Sequence, residues 1–256
     1  MENLLNNKHI LVAGAGGLLG CQLTAALLEQ GANVIAADID PEALQHRLND
    51  KGVDCESPQL TCITLDITDE KAVKNWFASC SPLDGAVNTT YPRNKTYGAH
   101  FFDVTLASFN ENLSLHLGSA FLFSQQCAAY FSEHQRPFSL VNIASIYGVV
   151  APKFDVYNNT PMTMPVEYAA IKSALLHLNK YIVAYVNDSR FRINCVSPGG
   201  IFDHQPEAFL QAYKGHTHGA GMLDVSEIIG SVLFLMSEQS RYVTGQNIVV
   251  DDGFSL

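Results

Sequence analysis

His9-Ile-Leu-Val-Ala-Gly-Ala-Gly-Gly-Leu-Leu-Gly20 decides the fold. Five residues dominated by aliphatic side chains run into a glycine-rich turn, and a helical apolar pattern, Leu18–Gln30, leaves it and stops at Gly31. A strand, a turn without side chains and a helix start place unpaired backbone N–H groups where a phosphate can approach. The next apolar run, Asn33–Ala37, ends at Asp38. The unit is therefore strand–helix–strand, with an acid at the tip of its second strand.

The same alternation continues outward. Helical stretches are expected at Pro41–Leu48, Asp69–Ser79, Val166–Val186 and Val225–Ser237, with one or two helices in Leu106–His134. Strands are expected at Leu60–Leu65, Gly85–Asn88, Phe138–Ala144, Phe191–Val196 and Asn247–Val250. Continuous apolar strands separated by helices form a parallel sheet covered on both faces. The expectation is an α/β, doubly wound parallel sheet of the Rossmann type, a single domain over residues 1–256, with its crevice at the carboxyl ends of the strands.

The chain has 256 residues, 25 acidic against 15 basic, for a formal net charge of −10. This balance argues against nucleic acid, whose binders present a basic face. No polybasic patch or membrane-length apolar run occurs. Met1–Lys8 is polar rather than leader-like, and the six cysteines show no CxxC spacing. A cytoplasmic protein with reduced thiols and no metal is expected.

Two patterns carry chemistry. Gly14, Gly16, Gly17, Leu18, Leu19 and Gly20 form the expected pyrophosphate loop, and Asp38 is placed to accept from adenosine ribose hydroxyls. Asp38 would repel a 2′-phosphate, and Ile39-Asp-Pro41 supplies no cation directly after it, so NAD is expected over NADP. Tyr168-Ala-Ala-Ile-Lys172 puts a phenol and an ammonium one helical turn apart. A nearby ammonium favours phenolate, fitting Tyr168 for proton exchange with an alcohol or ketone.

With these pieces in place the chain resembles the short-chain dehydrogenase/reductase family over almost its whole length. Further matching pieces are Asp66-Ile67, Ser145 in Asn142-Ile-Ala-Ser145, Asn194-Cys-Val-Ser-Pro-Gly199 and Gly245-Gln-Asn-Ile-Val-Val-Asp-Asp-Gly253. The resemblance implies catalytic Ser145, Tyr168 and Lys172. It also implies cofactor contacts at Asp66, Ile67, Asn88, Pro198, Gly199 and Ile201, besides Tyr168 and Lys172. Thr163-Met-Pro-Val-Glu-Tyr-Ala-Ala-Ile-Lys172 and the C-terminal stretch are similar to a subgroup tied to flagellin modification and nonulosonic-acid synthesis, which implies a sugar-like substrate.

The chain departs from the family pattern at four places. Asn88-Thr-Thr-Tyr91 is bulkier than the usual Asn-Asn-Ala-Gly, and His116 falls where the family carries a relay asparagine, with Asn112 one turn earlier. Asp203 occupies the place of a common threonine. Ser145 and Tyr168 are 23 positions apart, so Tyr147–Pro165 reads as an insertion. That insertion is expected either to wall the substrate pocket or to be a plain surface loop, with Lys153, Arg93 and Lys95 as candidate phosphate partners. Phe202–Met222 is expected to be a lid, and His216 and His218 lack an evident third metal ligand. The apolar character of Leu106–His134 and Val166–Val186 points to a homodimer or homotetramer. An NAD-retaining epimerase or dehydratase and a non-catalytic dinucleotide-binding protein are the competing readings.

Overall fold

A computed structural model describes residues 3–80 and 82–256; Met1 and Glu2 of the polar N-terminal stretch lie outside the described residues. In chain order the elements begin β1 (His9–Ala13), α1 (Leu18–Glu29), β2 (Asn33–Asp38), α2 (Pro41–Asp50), β3 (Leu60–Thr64), α3 (Glu70–Ser79) and β4 (Gly85–Asn88). They continue with α4 (Leu106–Asn112), α5 (Ser119–His134), β5 (Phe138–Ile143), α6 (Val166–Val186), β6 (Phe191–Pro198), α7 (Glu207–Lys214), α8 (Ser226–Met236) and β7 (Asn247–Val250).

The seven strands form one sheet in the order β3-β2-β1-β4-β5-β6-β7, every pair parallel. The order reverses between β1 and β4, which opens a crevice beyond their carboxyl ends. Side chains alternate across the sheet with a period of two. Ile10 and Val12 of β1 join Leu23, Leu27 and Val232 in one core, whereas Leu11 and Ala13 join Phe77, Phe123 and Phe191 in the other. The sheet is thus sandwiched between a layer that includes α1 and α8 and a layer that includes α3 and α5.

Local signals explain the helix starts. Asp40 caps α2 by accepting from the Ala43 N–H at 3.0 Å, with Pro41 in the first turn. Asp69 caps α3 by accepting from Lys71 and Ala72 N–H groups. By contrast, Gly17 begins α1 with no side-chain cap, so this helix presents its N–H groups outward.

Most expected elements occur within one or two residues of their expected ends. Two features differ. Leu106–His134 is a helical run interrupted by a π-helical segment, Leu113–Gly118, that links α4 to α5. Phe202–Met222, expected as a lid, contains the helix α7, whose Phe209 and Tyr213 share one buried face. No described helix is long and apolar enough to cross a membrane.

Candidate active site

The glycine turn shapes the first half of the crevice. Gly14 takes φ +79°, and its carbonyl accepts from the Gly17 N–H at 3.0 Å. A Cβ on Gly16 would meet Asp38 Oδ2 at 3.0 Å, and one on Gly20 would meet the Gly14 oxygen at 2.1 Å. The backbone therefore closes on itself and leaves an uncapped helix end facing a cavity of about 780 Å3. This cradle, with its aligned N–H groups, fits a pyrophosphate.

Asp38 stands at the rim of this cavity. Its Oδ2 accepts from the Gly16 N–H at 2.9 Å and its Oδ1 from the Ile39 N–H at 2.8 Å. Arg47 reaches back from α2, donates to the Gly16 carbonyl and lines the same cavity. A cation therefore lies near Asp38 despite the absence of one in the residues that directly follow it. Asp66 Oδ1 accepts from Thr68 N–H and Oγ1, so Asp66 shapes the turn beyond β3 while Ile67 and Leu65 add an apolar slot. Asn88 is buried, and its Oδ1 accepts from Thr90 N–H and Oγ1; it braces the turn after β4 and lines neither cavity.

A second cavity, about 420 Å3, adjoins the first through Leu18, Leu19 and Tyr91. Ser145, Tyr168, Lys172, Pro198, Gly199 and Ile201 all line it. Their convergence has a local cause. Ser145 opens the turn Ile146–Gly148 directly beyond β5, and Gly148 presses against α6, where a Cβ would stand 2.7 Å from the Lys172 carbonyl. Ser173 Oγ fastens the contact by donating to the Gly148 oxygen at 3.1 Å. The turn and the helix thus bring Ser145 and Tyr168 to one wall.

Lys172 is buried and fully oriented. Its Nζ donates to the Ile143 carbonyl at 2.8 Å, lies 3.3 Å from His116 Nε2 and sits 5.4 Å from the Tyr168 ring centre. Two of its three N–H groups are thereby used, which leaves one for the cavity. Burial lowers the Lys172 pKa to about 8. Burial raises that of Tyr168, opposed by a hydrogen bond with Ser145. Desolvation therefore outweighs the expected depression of the phenol by its lysine neighbour.

The two relay candidates separate. Asn112 donates to Asn94 Oδ1, to the Ser108 carbonyl and to Glu167 Oε1, and it faces away from the cavity lining. His116 lies in the π-helical segment against Lys172. Its Nε2 accepts, so Nδ1 carries the proton, buried with no partner among the described residues. Burial, and then the charges of Lys172 and Arg93, lower its pKa to about 2. His116 therefore orients Lys172 as a neutral group and does not titrate near neutrality.

A match to the family model described as enoyl-(acyl carrier protein) reductase spans residues 14–255. The chain is a short-chain dehydrogenase/reductase. It is 36% identical over 258 residues to the post-translational flagellin modification protein A of Campylobacter coli, covering 99% of this chain and 100% of that one. It is 26% identical to the 7alpha-hydroxysteroid dehydrogenase of Bacteroides fragilis, over 99% and 96% of the two chains. A short chain dehydrogenase from Leptospira borgpetersenii with bound NAD+ superimposes with a TM-score of 0.87 at 32% identity, over 100% and 95% of the chains.

Several functional neighbours in this reductase escaped the sequence reading. Tyr91 stands edge-on to both Tyr168 and His116, with ring centres 5.5 and 5.1 Å away, and lines both cavities. Its bulk was visible as a departure from the family's small residues, but its position between the two cavities was not. Tyr213 accepts from the Gly200 N–H at 2.6 Å and stacks on Phe254 at 4.4 Å, so α7 and the C-terminal residues brace the loop beyond β6. Asp203 borders both cavities.

The expected phosphate partners are placed unequally. Lys153 Nζ donates to the Phe254 carbonyl at 2.7 Å and covers its ring, which ties the insertion to the C-terminus. Arg93 stacks over Tyr91 at the edge of the first cavity, and Lys95 lines neither cavity. His216 Nε2 pairs with Asp155 Oδ2 at 2.8 Å, which joins the insertion to the end of α7. Among the described residues no group of three metal-ligating side chains occurs.

Proposed function

We propose that this dehydrogenase/reductase transfers a hydride between NAD and a secondary alcohol or ketone, with a sugar-like compound as substrate. The observation that carries the reading is the convergence of Ser145, Tyr168 and Lys172 on one wall of the second cavity, beside the glycine cradle. Gly14–Gly20 would hold the pyrophosphate, Asp38 the adenosine ribose, Ile67 the adenine side and Pro198–Ile201 the nicotinamide side. When bound, the nicotinamide supplies or accepts the hydride.

Tyr168 as phenol donates its proton to a ketone oxygen, or as phenolate takes the proton from an alcohol. Ser145 orients that oxygen together with Tyr168. Lys172, held by Ile143 and His116, directs its remaining N–H to the cofactor ribose and places positive charge below the phenol. The sugar-like substrate rests on the likeness to the flagellin modification protein and on the hydroxyl-bearing rings of the cavity. A homodimer or homotetramer is supported by the exposed Phe101, Phe102, Leu106, Phe121, Tyr181 and Tyr185.

The test is net NADH formation from cyclic polyols by catalytic amounts of enzyme. NADH accumulates beyond the enzyme concentration if hydride leaves the substrate for good; an NAD-retaining epimerase yields none. The pH profile adds a sign. Below a pKa of about 8 Lys172 is an ammonium, and above it that charge is lost. Reduction needs the protonated phenol and the ammonium, so its kcat/KM falls as pH rises through about 8. Oxidation needs Tyr168 as the phenolate to take the alcohol proton, so from about pH 6 to about pH 8 its rate rises with the phenolate fraction. Parallel profiles in the two directions would remove Tyr168 and Lys172 from these roles.

Asp38 sets the cofactor choice. In Asp38→Ser the repulsion of a 2′-phosphate disappears while Arg47 stays beside it. The ratio of kcat/KM for NADPH over NADH is expected to rise about 100-fold, or about 2.7 kcal/mol. An unchanged ratio would show that Asp38 does not contact the ribose.

A further inference from the structure

Of the buried tyrosine hydroxyls on the substrate cavity that the mechanism leaves unused, that of Tyr147 follows Ser145 most closely in the chain. Tyr147 lies two residues beyond Ser145, in the turn that Ser145 opens, and is 8% exposed. Its position is fixed from three sides. Its backbone N–H donates to Ser145 Oγ at 3.2 Å, its ring stands edge-on to Phe254, and its phenolic oxygen lies 3.4 Å from the Tyr157 hydroxyl. At 3.4 Å this is a long pair in which either hydroxyl can donate, so the Tyr147 proton is free to turn to a ligand oxygen while Tyr157 donates behind it. Both rings line the second cavity together with Ser145 and Tyr168.

Two other tyrosines of this lining are committed elsewhere: the Tyr213 hydroxyl holds the Gly200 N–H at 2.6 Å, and Tyr91 has a close hydroxyl partner outside the cavity. The Tyr91 hydroxyl is held by the Tyr97 hydroxyl at a short 2.6 Å, and Tyr97 is not part of the lining. Tyr91 therefore offers the substrate an aromatic ring, and Tyr147 offers it a donor. Met162, Met164, Met222 and Phe209 complete an apolar wall. A substrate oxygen at ordinary hydrogen-bond distance is a better acceptor for the Tyr147 proton than the long Tyr157 contact. Burial keeps Tyr147 a neutral phenol by raising its pKa.

We propose that Tyr147 is a specificity-determining residue that donates to a second substrate oxygen, so the preferred substrate is a cyclic diol or hydroxyketone with an apolar face. This rests on the hydride-transfer reading above. It goes beyond it in requiring two oxygens, one that reacts at Ser145 and Tyr168 and one that is only held. Tyr157 is a positioning residue, because it acts through the hydrogen bond it gives to Tyr147. The segment inserted between Ser145 and Tyr168 thereby supplies a recognition group as well as a wall.

Initial rates of NAD+ reduction with trans-cyclohexane-1,2-diol and with cyclohexanol test the proposal. The wild-type protein is expected to prefer the diol by about 10-fold or more in kcat/KM, expressed mainly in KM. Tyr147→Phe is expected to bring that ratio to within about twofold of one, since the ring stays and only the donor is lost. Tyr157→Phe, which keeps the Tyr147 hydroxyl, lowers the ratio only about two- to fivefold. A wild-type ratio near one, an unchanged ratio in Tyr147→Phe, or oxidation of neither alcohol overturns the proposal. NADH fluorescence separates the levels of failure: a protein that binds NADH but fails these ratios loses only the substrate class. One that does not bind NADH loses the hydride-transfer reading too.

Discussion

Tyr168→Phe is expected to lower kcat about 1,000-fold in both directions while NADH affinity stays within about threefold of the wild-type value. The substitution removes one oxygen and leaves the ring. The edge-on contact with Tyr91 and the packing of α6 survive it. Lys172 does not depend on the phenol for its place, because Ile143 and His116 hold its Nζ. The loss therefore falls on proton transfer in the transition state rather than on binding, and KM changes less than kcat. Pre-steady-state NADH absorbance is the direct readout. A decrease smaller than about 10-fold would mean that another group delivers the proton. Tyr147, a further phenol on the same cavity, would then be the first to examine.

What the sequence revealed and what it concealed divide along the range of the interactions. The sheet was legible because each strand is a short continuous apolar run, and burial on both faces permits nothing else. The crevice was legible because Gly14–Gly20 and Asp38 belong to one local unit, and Tyr168 and Lys172 are one helical turn apart. Contacts made across the fold were not. Tyr91 touches Tyr168 and His116 only because the turn beyond β4 and the helices that carry them meet at the crevice. Tyr147 and Tyr157 pair across a loop, and Phe254 comes from the chain end to stack on Tyr213 in α7.

Asn112 and His116 show how a local irregularity defeats periodic reasoning. Four residues apart, they belong on one face of an ideal helix. The π-helical segment begins immediately after Asn112, and its wider i→i+5 winding turns the following residues relative to that face. Asn112 is thereby left to tie Asn94 to Glu167, while His116 swings onto Lys172. No pattern of apolar residues announces such a segment. Lys153 fails for a different reason: charge alone marked it as a phosphate partner, yet the Phe254 carbonyl already engages it.

Gly20→Ala is expected to weaken NADH binding about 100-fold and to lower stability by about 2 kcal/mol, although alanine is the better helix former. The competing terms have different sizes. Helix propensity favours alanine by about 1 kcal/mol at an interior position. Against it, the new Cβ would stand 2.1 Å from the Gly14 oxygen and 2.8 Å from the Ala15 Cα, both backbone atoms. Neither can rotate away. The α1 helix is also pinned by Leu19, Leu23 and Leu27 in the core, so relief comes mainly from displacing the Gly14–Gly17 turn. That turn is the proposed pyrophosphate cradle, so packing strain and lost affinity share one cause. Gly230→Ala in α8 is the control, since its Cβ meets nothing within 4 Å. There the propensity term acts alone, and stability is expected to rise by about 0.5–1 kcal/mol, or about 1–4 °C in Tm. Thermal unfolding and NADH titration of both variants decide the matter. Wild-type NADH affinity in Gly20→Ala would show that the turn can yield without losing its ligand, and the close approach of Gly20 to Gly14 would then serve packing alone.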